Sequence, residues 1–391
     1  MNHKPFILTS FCAYFMIAIP FNIQGANAPV TMEYYGITAA QQGFIMTMQS
    51  VGVLAASVFI ALKGERYNKI HAIAFGIIMF AIMSASIGFA PPYFLLLIVI
   101  AMMGVGLAFI DIMTNGAFSE IYPDQKSTFI PLIHAIFGVG AMVTPVFVTL
   151  IVNPSVPSSF SYPFRIVGAA CAAIFVLYLV CGKKIMPETP YMNMDAMRKS
   201  AVENPAEIFK TGRAWYLLVA GFLYFTFQLG IIVWLPTYAI ENAGADFNTA
   251  GMLLTAFFAG SLVMRFLGPL ILRRLSPRLL FSLFGAAAAA SMLAAILTGS
   301  IEHMFVLVAV SGFMQGSVVA TFIIMSTEAF PSRMASASSL FSLAVGAATF
   351  TAPLWMGAMS EHTGFRIPMI LICCALFVSS GMIFFGGRRL R

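Results

Sequence analysis

Charge is what this chain has least of. Only 9% of its 391 residues are Asp, Glu, Lys or Arg, where a soluble globular domain carries about 25%. Fourteen acids and 21 bases cannot furnish a water-facing surface for a body of this length, which excludes a soluble enzyme or a soluble nucleic-acid-binding domain. Cysteine is also sparse. Cys12, Cys171, Cys181, Cys373 and Cys374 lie in or beside apolar runs, and none stands at metal-ligand spacing from a histidine. They read as buried thiols, with no disulfide framework and no metal site. The usual signs of an active site are missing too: there is no histidine cluster, no nucleophile elbow and no phosphate-binding loop. Gly104-x-Gly106 falls inside an apolar run, so it is no phosphate loop. These absences argue against a membrane enzyme and an ATP-driven pump.

Apolar residues make up 60% of the chain, with 38 Phe and 26 Met. Mean hydropathy is +0.93. A spanning helix needs about 20 apolar residues to cross a hydrocarbon core about 30 Å thick. Twelve runs meet this need: 5–29, 41–62, 71–90, 92–119, 128–152, 164–182, 214–240, 248–272, 278–299, 303–328, 335–359 and 365–386. The fold expected is therefore all-α and integral to the membrane. The first run imitates a secretory signal, with Ala26-Asn27-Ala28 as a small-x-small site. Pro29 directly after that site argues against cleavage, so the run is expected to stay as the first helix.

Twelve spans place both termini on one side, and the basic residues say which. Eighteen of the 21 Lys and Arg fall in one set of loops; only Arg165 and Arg366 fall in the other, and Arg265 lies within a run. Basic loops stay in the cytoplasm, so both termini are expected there, in the cell membrane. The one long interior loop, 183–212, is polar and divides the runs six and six. The expected domains are an N-terminal bundle (1–182), a cytoplasmic linker (183–212) and a C-terminal bundle (213–391).

The two halves repeat. A shift of 208 residues pairs Glu33 with Glu241, Gly36 with Gly244, Gly52 with Gly260, Arg66 with Arg274, Gly104 with Gly312, Glu120 with Glu328, Pro123 with Pro331 and Pro145 with Pro353. An even number of spans per unit makes the repeat parallel, about an axis along the membrane normal. Substrate sites in such proteins lie near the midplane.

Twelve spans in a six-plus-six parallel repeat with a polar central loop resemble the major facilitator superfamily over essentially the whole chain. That family's loop between the second and third helices reads Gly-x-x-x-Asp-Arg-x-Gly-Arg/Lys. Here the place holds Ala61, Glu65-Arg66, Asn68 and Lys69, with Asn68 able to take the left-handed conformation of the family's glycine. Leu132-Ile-His134-Ala-Ile-Phe137-Gly138-Val-Gly140 with Pro145, and Trp234-Leu-Pro236-Thr-Tyr238, resemble the fucose-permease-like branch. That branch includes proton-coupled sugar importers with acids on their first and fourth helices. The fourth run here holds Asp111 and the first holds no acid. The resemblance implies alternating access by rocking of the two halves.

Ionisable groups within the hydrocarbon cost about 2.5–3.5 kcal/mol each on insertion, so they point to function. Asp111, His134 and Arg265 lie well inside runs, each about 7–9 Å to the cytoplasmic side of its run's midpoint at 1.5 Å per residue. Their repeat partners are Val319, Ser342 and Ser57, so each charge departs from the shared scaffold. The three are expected to form a protonation-sensitive gate, with Asp111 carrying the proton. The alternative is a permanent Asp111–Arg265 ion pair with His134 bonded to a main-chain carbonyl. Gln24, Asn27, Asn115, Tyr224, Gln228, Trp234, Gln315 and Ser342 are candidates to line a substrate cavity; the alternative for each is a helix–helix hydrogen bond. Glu120 and Glu328 are expected to pair with Arg66 and Arg274 as a cytoplasmic gate.

The function expected is secondary active transport of a small polar solute, such as a sugar, in symport with protons. A drug or metabolite/proton efflux antiporter, or an uncoupled facilitator, is the competing reading. The expected partners are a small-molecule substrate, protons and the lipid bilayer. No cofactor, metal or nucleic acid is expected, and the chain is expected to act as a monomer.

Overall fold

Glycine and proline punctuate the helices. The computed structural model describes residues 4–63, 67–122, 126–185, 205–330 and 334–386. Among them fourteen α-helices follow one another: α1 (Lys4–Ala26), α2 (Ala28–Tyr35), α3 (Ala39–Lys63), α4 (Lys69–Gly88), α5 (Tyr93–Ile121), α6 (Lys126–Ile151), α7 (Tyr162–Ile185), α8 (Gly212–Ala243), α9 (Phe247–Ile271), α10 (Pro277–Thr298), α11 (Ile301–Gln315), α12 (Val318–Ala329), α13 (Met334–Thr363) and α14 (Arg366–Phe385). Twelve stretches within them are long and apolar enough to cross a membrane. The molecule is an all-α integral membrane protein, and its helices follow the expected runs.

Two runs are each divided in two. The first breaks at Asn27, between α1 and α2. Pro29 has no N–H to continue the helical ladder and stands in the first turn of α2. The tenth breaks at Gly316-Ser317, between α11 and α12. There the Gly316 N–H turns back to the Phe313 carbonyl in a tighter, three-residue step.

The helices gather into two compact units. The first is Met1–Gly36 with Ile45–Val202, and the second is Ile37–Phe44 with Glu203–Arg391. The opening turns of α3 thus belong with the second unit: the Ala40 N–H donates to Glu361 of α13 at 2.9 Å, and Gly43 lies against the Pro353 main chain.

The two units use one plan. In the first, α1 packs on α6, and α4 lies between α5 and α7. In the second, α8 packs on α13, and α10 lies against α11 and α14. Three local devices recur in the 208-residue register. Gly36 and Gly244 close α2 and α8 in the left-handed conformation, with φ of 61° and 68°, where a side chain would be strained. Asn68 and Ser276 cap α4 and α10 through their side-chain oxygens. Asn68 is extended, with φ −64° and ψ 120°, which corrects the left-handed reading: its side-chain Oδ1 accepts from the Ile70 and His71 N–H groups, and this fixes it as an N-cap.

The third device is close helix approach. A Cβ on Gly52 would run into the Ala101 carbonyl, and one on Gly104 into the Gln49 carbonyl. In the second unit Gly260 meets the Ala309 carbonyl and Gly312 the Phe257 carbonyl. Each member of the first pair of contacts sits 208 residues before its counterpart. Without a hydrophobic drive between helices in lipid, such small-residue contacts supply much of the packing.

A side chain at these contacts has no room. Gly312→Ala is expected to destabilise the protein by about 1–3 kcal/mol. Gly381→Ala, where nothing lies within 4 Å, is expected to be neutral or to gain up to about 1 kcal/mol from helix propensity. Thermal unfolding of the two variants in detergent checks this, and equal losses would contradict it.

Candidate functional site

In the first unit a carboxylate is held by neutral donors. Asp111, half-buried on α5, accepts a hydrogen bond at Oδ1 from the Tyr14 hydroxyl of α1 at 2.7 Å. Asn115, one turn further along α5, donates through Nδ2 to the same Oδ1 at 3.1 Å and to the Asp111 carbonyl at 2.9 Å. Its Nδ2 also lies 3.0 Å from the Tyr14 oxygen. The His134 ring, exposed on α6, stands edge-on to Tyr14, with centroids 5.6 Å apart at 89°. The stem of Lys69 lies close by, against Gly116. Tyr14 is only 1% exposed. It was absent from the candidates read in the sequence, although a phenol deep in an apolar run signals a hydrogen-bond partner elsewhere.

Chemically, this is a carboxylate whose charge can change without breaking an ion pair among the described residues of its unit. A hydroxyl can donate to the ionised form and accept from the protonated form, and Asn115 adds a second donor.

Two other candidates in this unit are tied into packing. Gln24 donates to Gln49 Oε1 at 2.7 Å, joining α1 to α3. Asn27, at the break between α1 and α2, donates to the Phe160 carbonyl at 2.8 Å. Both are buried, and both bonds join separate elements, which is the alternative weighed for them.

The second unit holds a different arrangement. Tyr224 of α8 is fully buried, and its hydroxyl donates to the Gln315 main-chain carbonyl at 3.3 Å. Gln315 ends α11 at the break. Its side chain is 1% exposed, and neither amide atom has a hydrogen-bond partner. Leaving a buried polar group unpaired costs about 1–3 kcal/mol. The break packs on α9, where Gly316 meets the Ser261 carbonyl and Gly268 meets Ser317. Arg265 is four residues after Ser261 and three before Gly268, so it shares their face. It is exposed.

Of the expected trio, Asp111 and His134 meet Tyr14 in the first unit, and Arg265 belongs to the second. Gln228 is half-buried and Ser342 exposed. Trp234 corrects the cavity reading. It is 0% exposed, its indole donates to the Pro353 carbonyl at 3.2 Å, and it lies against Phe365. It anchors α8 to α13 and has no face left for a solute. Arg274 and Glu328 are both exposed, and among the described residues no ion pair joins them. Arg66 and the Glu120 side chain lie outside the described residues.

Outside the spans, Asp246 caps α9 through Thr249 N–H at 3.0 Å. Hydrogen bonding from the Thr249 side chain, and then from its N–H, holds the Asp246 carboxyl below the usual range.

Two six-helix units repeated in parallel, each with polar groups inside the membrane, define a class of multi-pass membrane transporter. The family model of the Major Facilitator Superfamily matches residues 10–303 and 240–390, and the chain belongs to that superfamily. It is thus a membrane transporter and not an enzyme. It is 24% identical over 334 residues to the TsgA homologue of Yersinia enterocolitica, covering 83% of this chain and 80% of that one. It is 24% identical over 324 residues to TsgA of Escherichia coli, covering 82% and 78%. The fold is similar to a bacterial homologue of the human lysosomal transporter Spinster, with a TM-score of 0.84, 15% identity and coverage of 100% and 98%. It is also similar to a D-xylose–proton symporter, with a TM-score of 0.78, 12% identity and coverage of 97% of each chain.

Tyr14 and Asp111 should be coupled energetically. A double-mutant cycle of Tyr14→Phe and Asp111→Asn, read by thermal unfolding in detergent, is expected to give an interaction energy of at least about 0.5 kcal/mol. Additive losses would mean that the 2.7 Å bond contributes nothing.

Proposed function

We propose that this chain carries a small polar solute, with a sugar as the first candidate, across the cell membrane by alternating access in symport with protons. Asp111 is the proton carrier in this reading. Tyr14 and Asn115 hold its carboxylate in both protonation states, and His134 stands behind Tyr14. The observation that carries the reading is the Asp111 carboxylate inside a membrane-spanning helix, bonded to neutral donors among the described residues of its unit. Intramembrane acids are costly and mark proton and substrate routes. The likeness of residues 132–140 and 234–238 to the fucose-permease-like branch supports a sugar. The excess of basic residues in one set of loops supports cytoplasmic termini, and the superfamily supports a monomer as the working unit.

The test uses proteoliposomes loaded with a pH-sensitive dye and challenged with a panel of sugars and sugar acids. Wild-type protein is expected to acidify the lumen when its solute is added outside. Asp111→Asn is expected to abolish both that signal and uphill accumulation while retaining exchange of solute for solute. Unchanged acidification in the variant would refute the carrier role.

A further inference from the structure

The second unit's polar centre bears on which solutes the protein accepts. Four observations meet there. The tenth span is interrupted at Gly316-Ser317. Beside the break, Gln315 keeps both atoms of a buried amide without a partner, and so does the Ser317 hydroxyl. The break packs on the face of α9 that bears Arg265. Finally, among the described residues the guanidinium meets no carboxylate of its own unit: the acids of residues 213–391 are Glu241, Asp246, Glu302, Glu328 and Glu361, all at or beside helix ends.

An exposed arginine within a span, with no acid of its own unit beside it among the described residues, is a standing positive charge in a medium that penalises charge. A planar guanidinium fits a carboxylate through two parallel hydrogen bonds. An amide with a free donor and a free acceptor fits hydroxyl groups, which are both. A single cation balances a single negative charge.

We infer that the Arg265–Gln315 centre binds the carboxylate end of a small hydroxylated monoanion, so that the solute is a sugar acid or similar hydroxy acid and not a neutral sugar. Arg265 takes the carboxylate, and Gln315 with Ser317 takes the adjacent hydroxyls. This rests on the transport reading above and narrows its substrate class.

The experiment compares matched probes on the purified full chain. Gluconate and glucuronate are set against glucose and methyl glucuronate in thermal-shift titrations in neutral detergent, with and without phosphatidylglycerol. The same probes are then followed as radiolabelled solutes in phosphatidylcholine liposomes. The acids are expected to bind at least tenfold more tightly than their neutral partners. Arg265→Gln should erase that preference, Arg265→Lys should keep part of it, and Gln315→Ala should weaken the acids while sparing the fold. The lysine variant keeps the test sound if the glutamine variant fails to fold.

Neutral probes binding as well as the acids, acid binding unaffected in both Arg265 variants, a response to phosphatidylglycerol alone, or no response to any probe would each overturn the inference. Flux of neutral sugars without acid preference overturns it and leaves the transport reading standing. Acid binding that depends on Arg265, without flux, upholds it and counts against transport.

Discussion

A polar group inside a membrane-spanning bundle has to find its partner within the bundle, because no water waits to replace one. This constraint orders the structure. Tyr14 bonds Asp111, Gln24 bonds Gln49, Asn27 bonds the Phe160 carbonyl and Trp234 bonds the Pro353 carbonyl. Each of these bonds links two elements distant in sequence, so satisfying a polar group and fixing helix positions are one act. The Gln315 amide, with neither atom partnered, departs from the pattern, as do several buried hydroxyls, and it sits where a helix is interrupted.

The same economy explains the glycines. Gly52 with Gly104, and Gly260 with Gly312, bring two helices to main-chain contact in each unit. The scaffold is thus duplicated in its backbone contacts, its left-handed caps at Gly36 and Gly244, and its N-caps at Asn68 and Ser276. The charges are not duplicated. Asp111 and Arg265 face Val319 and Ser57 in the repeat register. Packing is shared between the halves, whereas the ionisable chemistry is specific to each.

Most of the fold could be read from the sequence, since twelve apolar runs of spanning length have few other solutions. The breaks at Asn27 and Gly316 were missed although Pro29 and the Gln315-Gly316-Ser317 run mark them, because the average hydropathy of a whole run does not register a kink. The candidate site was half legible. Asp111, Asn115, Arg265 and Gln315 stood out as polar letters in apolar text. Tyr14 did not, because a phenol counts as apolar until its hydroxyl has a partner. Trp234 was over-read for the opposite reason: its indole N–H suggested a ligand, but a main-chain carbonyl 119 residues away satisfies it. Which polar group serves packing and which serves chemistry depends on long-range pairing, which one-dimensional spacing does not encode.

Proton coupling requires Asp111 to gain and lose a proton within the membrane. Infrared difference spectroscopy of the protein in lipid, taken across a pH step with solute present, reads this directly. The account predicts a protonated-carboxyl stretching band that appears as pH falls, shifts in Tyr14→Phe as its hydrogen bond is lost, and is absent in Asp111→Asn. A band of full strength in Asp111→Asn would contradict it, as would wild-type protein in which no carboxyl within the spans titrates.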